Sequence, residues 1–462
     1  MSNGKFTRRQ LLTRSLLAGA GASMLGNTDA LTQLARAAAG EKVLGIPDRY
    51  YVFCYFPGGW DIILGLDPKD PAIYSDDDIG ATLVQPGYNR LDLEVAAIRE
   101  PIPGMQLGPF MGDLYNHADK MCIVRGMSME TLTHDVGRRR FLTGRQPVGL
   151  NARGSSTDVW LASQLGEAQA IPNLVMNVES YNKDQPSFAT GFNASQVGDL
   201  VRALQPGTPA FPDAQTQRLH DMLAISAQCP EAQKSHEWIE AEAARLKSVQ
   251  MVASQLDSQF DFQAKTEEME ILRSLYGLPA SGRLDSPAAS AAVAATAIKK
   301  GISRVVSIAP CRSVDTHFQN WETDHGENLQ EGYNAVATLV ADLASSQYKN
   351  TGDTWLDHTT IIGFSEFSRT PLLNPQGGRD HWLLNACFLM GGSIKGGTVI
   401  GSSSDIGMNP TPVDSETGEY KSTAEGGIVP RPEHVLQALY EEVGLTEEPD
   451  LRIENPLNAI FK

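Results

Sequence analysis

The sequence predicts an α/β protein: a doubly wound, mixed but mainly parallel sheet with a helical insertion. Three observations predict it. Short apolar runs rich in β-branched and aromatic residues recur along the chain, mostly continuous rather than alternating, as suits strands covered on both faces. Segments of helical spacing separate them. The composition, 41% hydrophobic and 20% charged over 462 residues with 42 Gly and 26 Pro, is that of a loop-rich globular chain with room for one large core or two.

In chain order, Thr7-Arg8-Arg9-Gln10-Leu11-Leu12 comes first, followed by a short apolar stretch, Ser15 to Leu25, and the small-residue run Ala37-Ala38-Ala39. Basic, weakly apolar and small-residue regions in that order make residues 1–39 a secretory leader. The paired arginines resemble a twin-arginine signal, which predicts a periplasmic or secreted protein. The apolar stretch is too short to span a bilayer, which needs about 20 residues. No later stretch approaches that length, so the mature chain is expected to have no integral span. Residues 40–462 read as one domain. Strands are expected at Tyr50–Phe56, Met121–Arg125, Leu174–Val178, Arg304–Ala309, Thr359–Phe364 and Ala386–Met390, with helices at Ser156–Leu165 and Leu329–Ser346. From about 214 to 300 the chain is rich in Ala, Gln, Glu, Leu and Met with almost no strand signal, and reads as a helical insertion between strands. Ser402–Ile428, rich in Gly, Ser, Thr and Pro, reads as surface loop.

The formal charge is −17, and removing the leader's five basic residues and one acid takes it to −21. An acidic surface repels phosphate backbones and anionic lipid, which argues against nucleic-acid or peripheral membrane partners. Five scattered cysteines form neither a disulfide framework nor a metal knuckle.

Four clusters carry candidate chemistry, each following an expected strand, where ligands bind in open α/β sheets. Phe56-Pro57-Gly58-Gly59-Trp60-Asp61 turns tightly and presents Asp61, a carboxylate suited to a cation and equally to capping a helix. Arg138, Arg139, Arg140 and Arg145 crowd beside His134, either as an anion pocket or as a solvated basic helix face. Asp315 and His317, two apart in extended chain, point the same way, as two ligands of one ion would. The richest cluster is Gly363-Phe364-Ser365-Glu366-Phe367-Ser368-Arg369-Thr370-Pro371, then Gly377-Gly378-Arg379-Asp380-His381-Trp382. Together they offer carboxylates and imidazoles for one or two divalent ions with mixed N and O ligands. Gly363 to Phe367 also resembles a nucleophile elbow with Ser365 as the serine. Phe367, however, replaces the final glycine, Pro371 sits where the next helix should start, and adjacent Asp380 and His381 make a poor triad pair.

With these residues in view, the chain resembles the bacterial family catalogued as domain of unknown function 1501. Its pattern joins an exported leader, a Gly-Gly first strand end, Asp-Thr-His, Ser-Glu-Phe-x-Arg-Thr-Pro and Gly-Gly-Arg-Asp-His-Trp, all present here in order. That family is similar to the alkaline phosphatase and sulfatase superfamily, which implies an alkaline phosphatase-like fold binding metals at strand ends. Phe141-Leu142-Thr143-Gly144-Arg145 reproduces the end of the sulfatase pattern, and counting back puts Arg138 on its arginine and His134 on its nucleophile position. The resemblance implies metal ligands at Asp61, Asp315, His317, Glu366 and His381, with Asp380 a possible extra. His134 stands where the superfamily has Cys, Ser or Thr.

The expected function is an exported hydrolase of small phosphate or sulfate esters that uses a divalent ion, zinc first. Arg138 would clamp the anion and His134 would act as nucleophile or acid-base group. The competing expectation is a non-catalytic exported scaffold that binds a partner protein or glycan.

Overall fold

The computed structural model describes residues 48–91, 98–206, 211–445 and 455–462; the leader lies outside them. From Arg49 onward the chain forms one compact unit. The strands are β1 (Tyr50–Tyr55), β2 (Arg99–Ile102), β3 (Met105–Leu107), β4 (Met121–Ser128), β5 (Asn173–Met176), β6 (Phe192–Ala194), β7 (Val305–Ile308), β8 (Thr359–Phe364), β9 (Ser368–Arg369), β10 (His381–Trp382), β11 (Leu384–Gly391) and β12 (Thr398–Ile400). Eight of them form one sheet in the order β12-β4-β11-β8-β1-β7-β5-β6. Every neighbouring pair is parallel except the two that involve β11, so β11 alone runs against the rest. The sheet is mixed and mainly parallel, as the apolar runs predict.

Among the described residues, the α-helices of five or more residues are α1 (His134–Thr143), α2 (Thr157–Leu165), α3 (Val197–Leu204), α4 (Asp213–Ala227), α5 (His236–Ala253), α6 (Leu256–Phe260), α7 (Glu267–Tyr276), α8 (Pro287–Lys299), α9 (Gly326–Ser345) and α10 (Pro432–Glu442). Between β6 and β7 the chain runs through α3 to α8 with no strand among the described residues. None of the described helices is long and apolar enough to cross a membrane.

Both faces of the inner strands are buried, which is why they read as unbroken apolar runs. All six residues of β1 are buried, and Tyr50, Val52 and Cys54 join the core that includes α8 and α9. The alternate residues face the other layer, where Phe141 of α1 stacks on Phe364 of β8 with ring centroids 4.1 Å apart. Helix α8 starts at Pro287, is capped by Ser286, whose side chain accepts from the Ala289 N–H, and buries nearly every residue of an alanine-rich sequence. Gly332 of α9 lacks a Cβ where one would lie 2.7 Å from the Phe56 ring, so the helix packs close over the end of β1.

This topology decides what meets at the carboxyl edge. The parallel strands β1, β4, β7 and β8 all deliver the residues that follow them to that edge. The reversed β11 enters there, so His381, just ahead of it, arrives at the same place.

Candidate metal centre

Four side chains from three chain segments converge at this edge: His134, Asp315, His317 and His381. One ligand atom from each lies within 4.8 Å of all the others. His134 is the first residue of α1, which follows β4. Asp315 and His317 lie on the loop after β7, and His381 opens β10, paired across to Arg369 of β9.

Close backbone approach builds the cradle. Gly58 has φ +108°, and a Cβ there would come within 2.5 Å of the Asp315 amide nitrogen. The Val314 N–H donates to the Pro57 carbonyl at 2.8 Å, tying the loops after β1 and β7 together. Gly58→Ala should therefore strain the turn and push the Asp315 loop away. We expect a loss of about 1–3 kcal/mol in a denaturant titration, together with loss of bound ion. Gly137 of α1 likewise has no Cβ where one would strike the Glu366 backbone, which lets His134 reach the Glu366 side chain.

Each imidazole has its outer nitrogen fixed. His134 Nδ1 is 2.6 Å from Glu366 Oε1, and His317 Nδ1 is 2.9 Å from Asp380 Oδ1. His381 Nδ1 is 2.6 Å from the Leu132 carbonyl oxygen. Burial pushes the Glu366 carboxyl up, but the hydrogen bond and charge of His134, with the Gly58 and its own backbone N–H, hold it below the usual carboxylate range. The hydrogen bond from His317 holds Asp380 down as well. Ionised carboxylates and a carbonyl can only accept, so each Nδ1 donates outward and the three Nε2 atoms are turned toward the centre. Partial burial lowers the His381 pKa, the Leu132 carbonyl opposes that, and the nearby Arg369 charge adds to the lowering. Asp315 is raised by burial but lowered further by the Arg369 hydrogen bond and charge, with His134 and His317 adding.

The inner distances have the scale of an ion's coordination shell. His317 Nε2 is 3.0 Å from His381 Nε2 and 3.0 Å from Asp315 Oδ1; His134 Nε2 is 3.4 Å from Asp315 Oδ2, and His381 Nε2 is 3.8 Å from Asp315 Oδ1. A tetrahedral ion with bonds of about 2.0–2.1 Å separates its ligand atoms by about 3.3 Å. Phe367, fully buried, backs His134 and His381 with ring centroids at 4.8 and 4.3 Å.

The other expected site residues have different partners. Asp61 is not in this group: it is buried, its Oδ2 meets Arg379 Nε at 2.9 Å and accepts from Trp321 Nε1 at 2.9 Å, and its Oδ1 caps the short turn Ile62–Leu64. The capping alternative describes it, with a buried guanidinium added. Glu366 lies one step behind the group: Oε1 receives His134 Nδ1 and the Gly58 N–H, and Oε2 receives the Ser365 hydroxyl. Such a carboxylate orients an imidazole rather than ligating. Glu366→Gln should leave the fold intact and weaken ion binding by about 10–100-fold, read by competition with a chelator. Arg138 donates to Asp135 and Glu179, both at 2.7 Å. Burial opposes its charge, yet Glu179 and Tyr55 hold its pKa above normal. Ser365 is fully buried, its oxygen accepting from the Trp60 N–H and its one proton shared between the Phe56 carbonyl and Glu366 Oε2, so the nucleophile-elbow reading finds no accessible serine.

Arg369 is a further residue of the site, one that no chemical motif in the sequence singles out. Its buried guanidinium donates to the carbonyls of Gly58, Gly59, Val314 and Arg379 and to Asp315 Oδ1 at 2.6 Å, and it lies 3.2 Å from His317 Nε2. It fastens three loops and two of the converging residues at once. Its place in the Ser-Arg-Thr-Pro segment was the only available signal.

A family model described as protein of unknown function (DUF1501) matches residues 49–417. No curated protein matches in sequence. Solved structures similar to the chain include a protein in the alkaline phosphatase superfamily from Vibrio parahaemolyticus, at 9% identity and TM-score 0.38, covering 87% of this chain and 68% of that one. A sulfatase from Pseudoalteromonas sp. is 13% identical with TM-score 0.36, covering 94% and 78%. Alkaline phosphatase from the Antarctic bacterium TAB5 is 10% identical with TM-score 0.30, covering 77% and 94%. Likeness at this level carries no activity, ligand or residue role to the chain.

Proposed function

This chain belongs to the DUF1501 family of unknown function, and we propose that it is an exported, metal-dependent hydrolase of small phosphate or sulfate esters, centred on His134, Asp315, His317 and His381. One observation carries this reading: one ligand atom each from His134, Asp315, His317 and His381 lies within 4.8 Å of the others, while an outer acceptor holds the Nδ1 of every imidazole. Three imidazoles and a carboxylate suit zinc better than magnesium or calcium, which favour oxygen ligands. A divalent ion there supplies a Lewis acid for an ester oxygen and a lowered pKa for water.

The chain's own residues supply the rest. Helix α1 begins at His134 itself and has no side-chain cap at Thr133, so its first-turn amides offer donors to anionic oxygens beside the centre. Glu366, Asp380 and the Leu132 carbonyl keep the imidazoles turned inward. The converging side chains are between 21% and 41% exposed, which gives an ester access from solvent. Export rests on the Arg8-Arg9 leader in the sequence.

The engagement of Arg138 by Asp135 and Glu179 favours a second reading, a binding protein that holds the ion without hydrolysis. Zinc-loaded chain assayed on 4-nitrophenyl phosphate and 4-nitrophenyl sulfate separates the two. Turnover that a chelator abolishes and zinc restores supports the hydrolase. A folded, zinc-loaded chain inert on both esters leaves the binding protein.

A further inference from the structure

The two histidines that lie 3.0 Å apart are flanked by large apolar side chains held out to solvent. Phe318 follows His317 directly and is 61% exposed, its ring centroid 6.4 Å from the His317 ring. Leu132, whose carbonyl receives His381 Nδ1, is 46% exposed, and Leu383, two residues after His381, is 44% exposed. Single exposed apolar residues are ordinary on protein surfaces. These three differ in that each stands on fixed backbone beside the same pair of imidazoles. The Phe318 N–H donates to Asn320 Oδ1 and its carbonyl receives the Trp321 N–H. Gly378 packs so closely that a Cβ would strike the peptide between His317 and Phe318. The Leu383 carbonyl receives the Met129 N–H at 2.8 Å.

We propose that the centre takes esters whose leaving group is apolar, an aryl or alkyl alcohol rather than a sugar, with that group lying on Phe318, Leu132 and Leu383. This rests on the hydrolase reading and names its substrate class. The anionic head is then held by the centre and the α1 amides, while the rim contributes through burial of apolar surface.

Direct binding tests it without turnover. Phenylphosphonate and methylphosphonate, and in parallel benzenesulfonate and methanesulfonate, are titrated calorimetrically into zinc-loaded chain and zinc-free chain. The expected result is at least about tenfold tighter binding of the phenyl member of a pair. That preference should shrink to about threefold or less in Phe318→Ala and in Leu383→Ser, both surface changes, while methylphosphonate or methanesulfonate binding stays unchanged. Equal binding of phenyl and methyl members overturns this proposal and leaves the hydrolase reading standing. Failure of every probe to bind zinc-loaded chain removes both. A concentration-dependent dimer in sedimentation, abolished by Phe318→Ala, means that a second copy covers the rim and overturns the proposal as well.

Discussion

Arg379→Met is expected to lower the free energy of unfolding by about 3–5 kcal/mol, the cost of leaving a buried charge without its partner. The Arg379 side chain is fully buried and pairs with an equally buried Asp61. It also donates to the carbonyls of Thr370, Gln85 and Pro86 at 2.6–2.8 Å and lies over the Trp321 ring at 4.9 Å. Burial disfavours its charge, and Asp61 opposes that effect. Methionine keeps much of the volume but strands Asp61 and three carbonyls, so a denaturant titration should show the loss clearly. Replacing Asp61 by Leu in the same chain should recover part of it, because a buried pair costs less to remove whole than to break. The same pairing predicts that Asp61→Asn, in chain that still folds, leaves the bound ion in place.

His317→Ala is expected to have the opposite profile, with little change in stability and nearly complete loss of bound ion. The His317 side chain is about a third exposed, so its removal leaves no large void. It supplies one of the four converging atoms, and Asp380 and Arg369 are both arranged around its ring. Ion affinity should fall by more than the roughly 10–100-fold expected on losing an orienting carboxylate. Measured side by side, Arg379→Met and His317→Ala separate fold from centre. If Arg379→Met instead spares stability and loses the ion, Asp61 belongs to the centre after all.

Much of the fold was legible in the sequence because the inner strands of the sheet are buried on both sides. Runs such as Tyr50–Phe56 and Thr359–Phe364 are continuous for that reason, and they fall on β1 and β8. The three-residue strands β6 and β12 carry too little pattern to read. The reversal of β11 has no local signature either, since it depends on which neighbours the strand finds. The strand-end motifs pointed to Asp315, His317 and His381, and these do converge.

The roles of Asp61, Glu366 and Arg138 were not legible, because each is set by distant partners. Whether Asp61 faces an ion or a guanidinium depends on Arg379 and Trp321, far along the chain. Glu366 sits behind the centre because the chain turns through Gly58 and Gly59, both at positive φ, and the Gly58 amide takes its carboxylate. Arg138 looks like an anion clamp until Glu179, 41 residues away, folds onto it. Sequence indicates which side chains reach a sheet edge. Loop dihedrals and remote charges decide where those side chains point.

The most direct test is the metal content of purified, folded chain after exposure to zinc and removal of excess, measured by elemental analysis beside His317→Ala. About one equivalent of ion per chain is expected at a four-ligand site of this kind, and almost none in His317→Ala at unchanged secondary structure. A folded wild-type chain that retains no ion, or a variant that retains as much as wild type, would contradict that expectation.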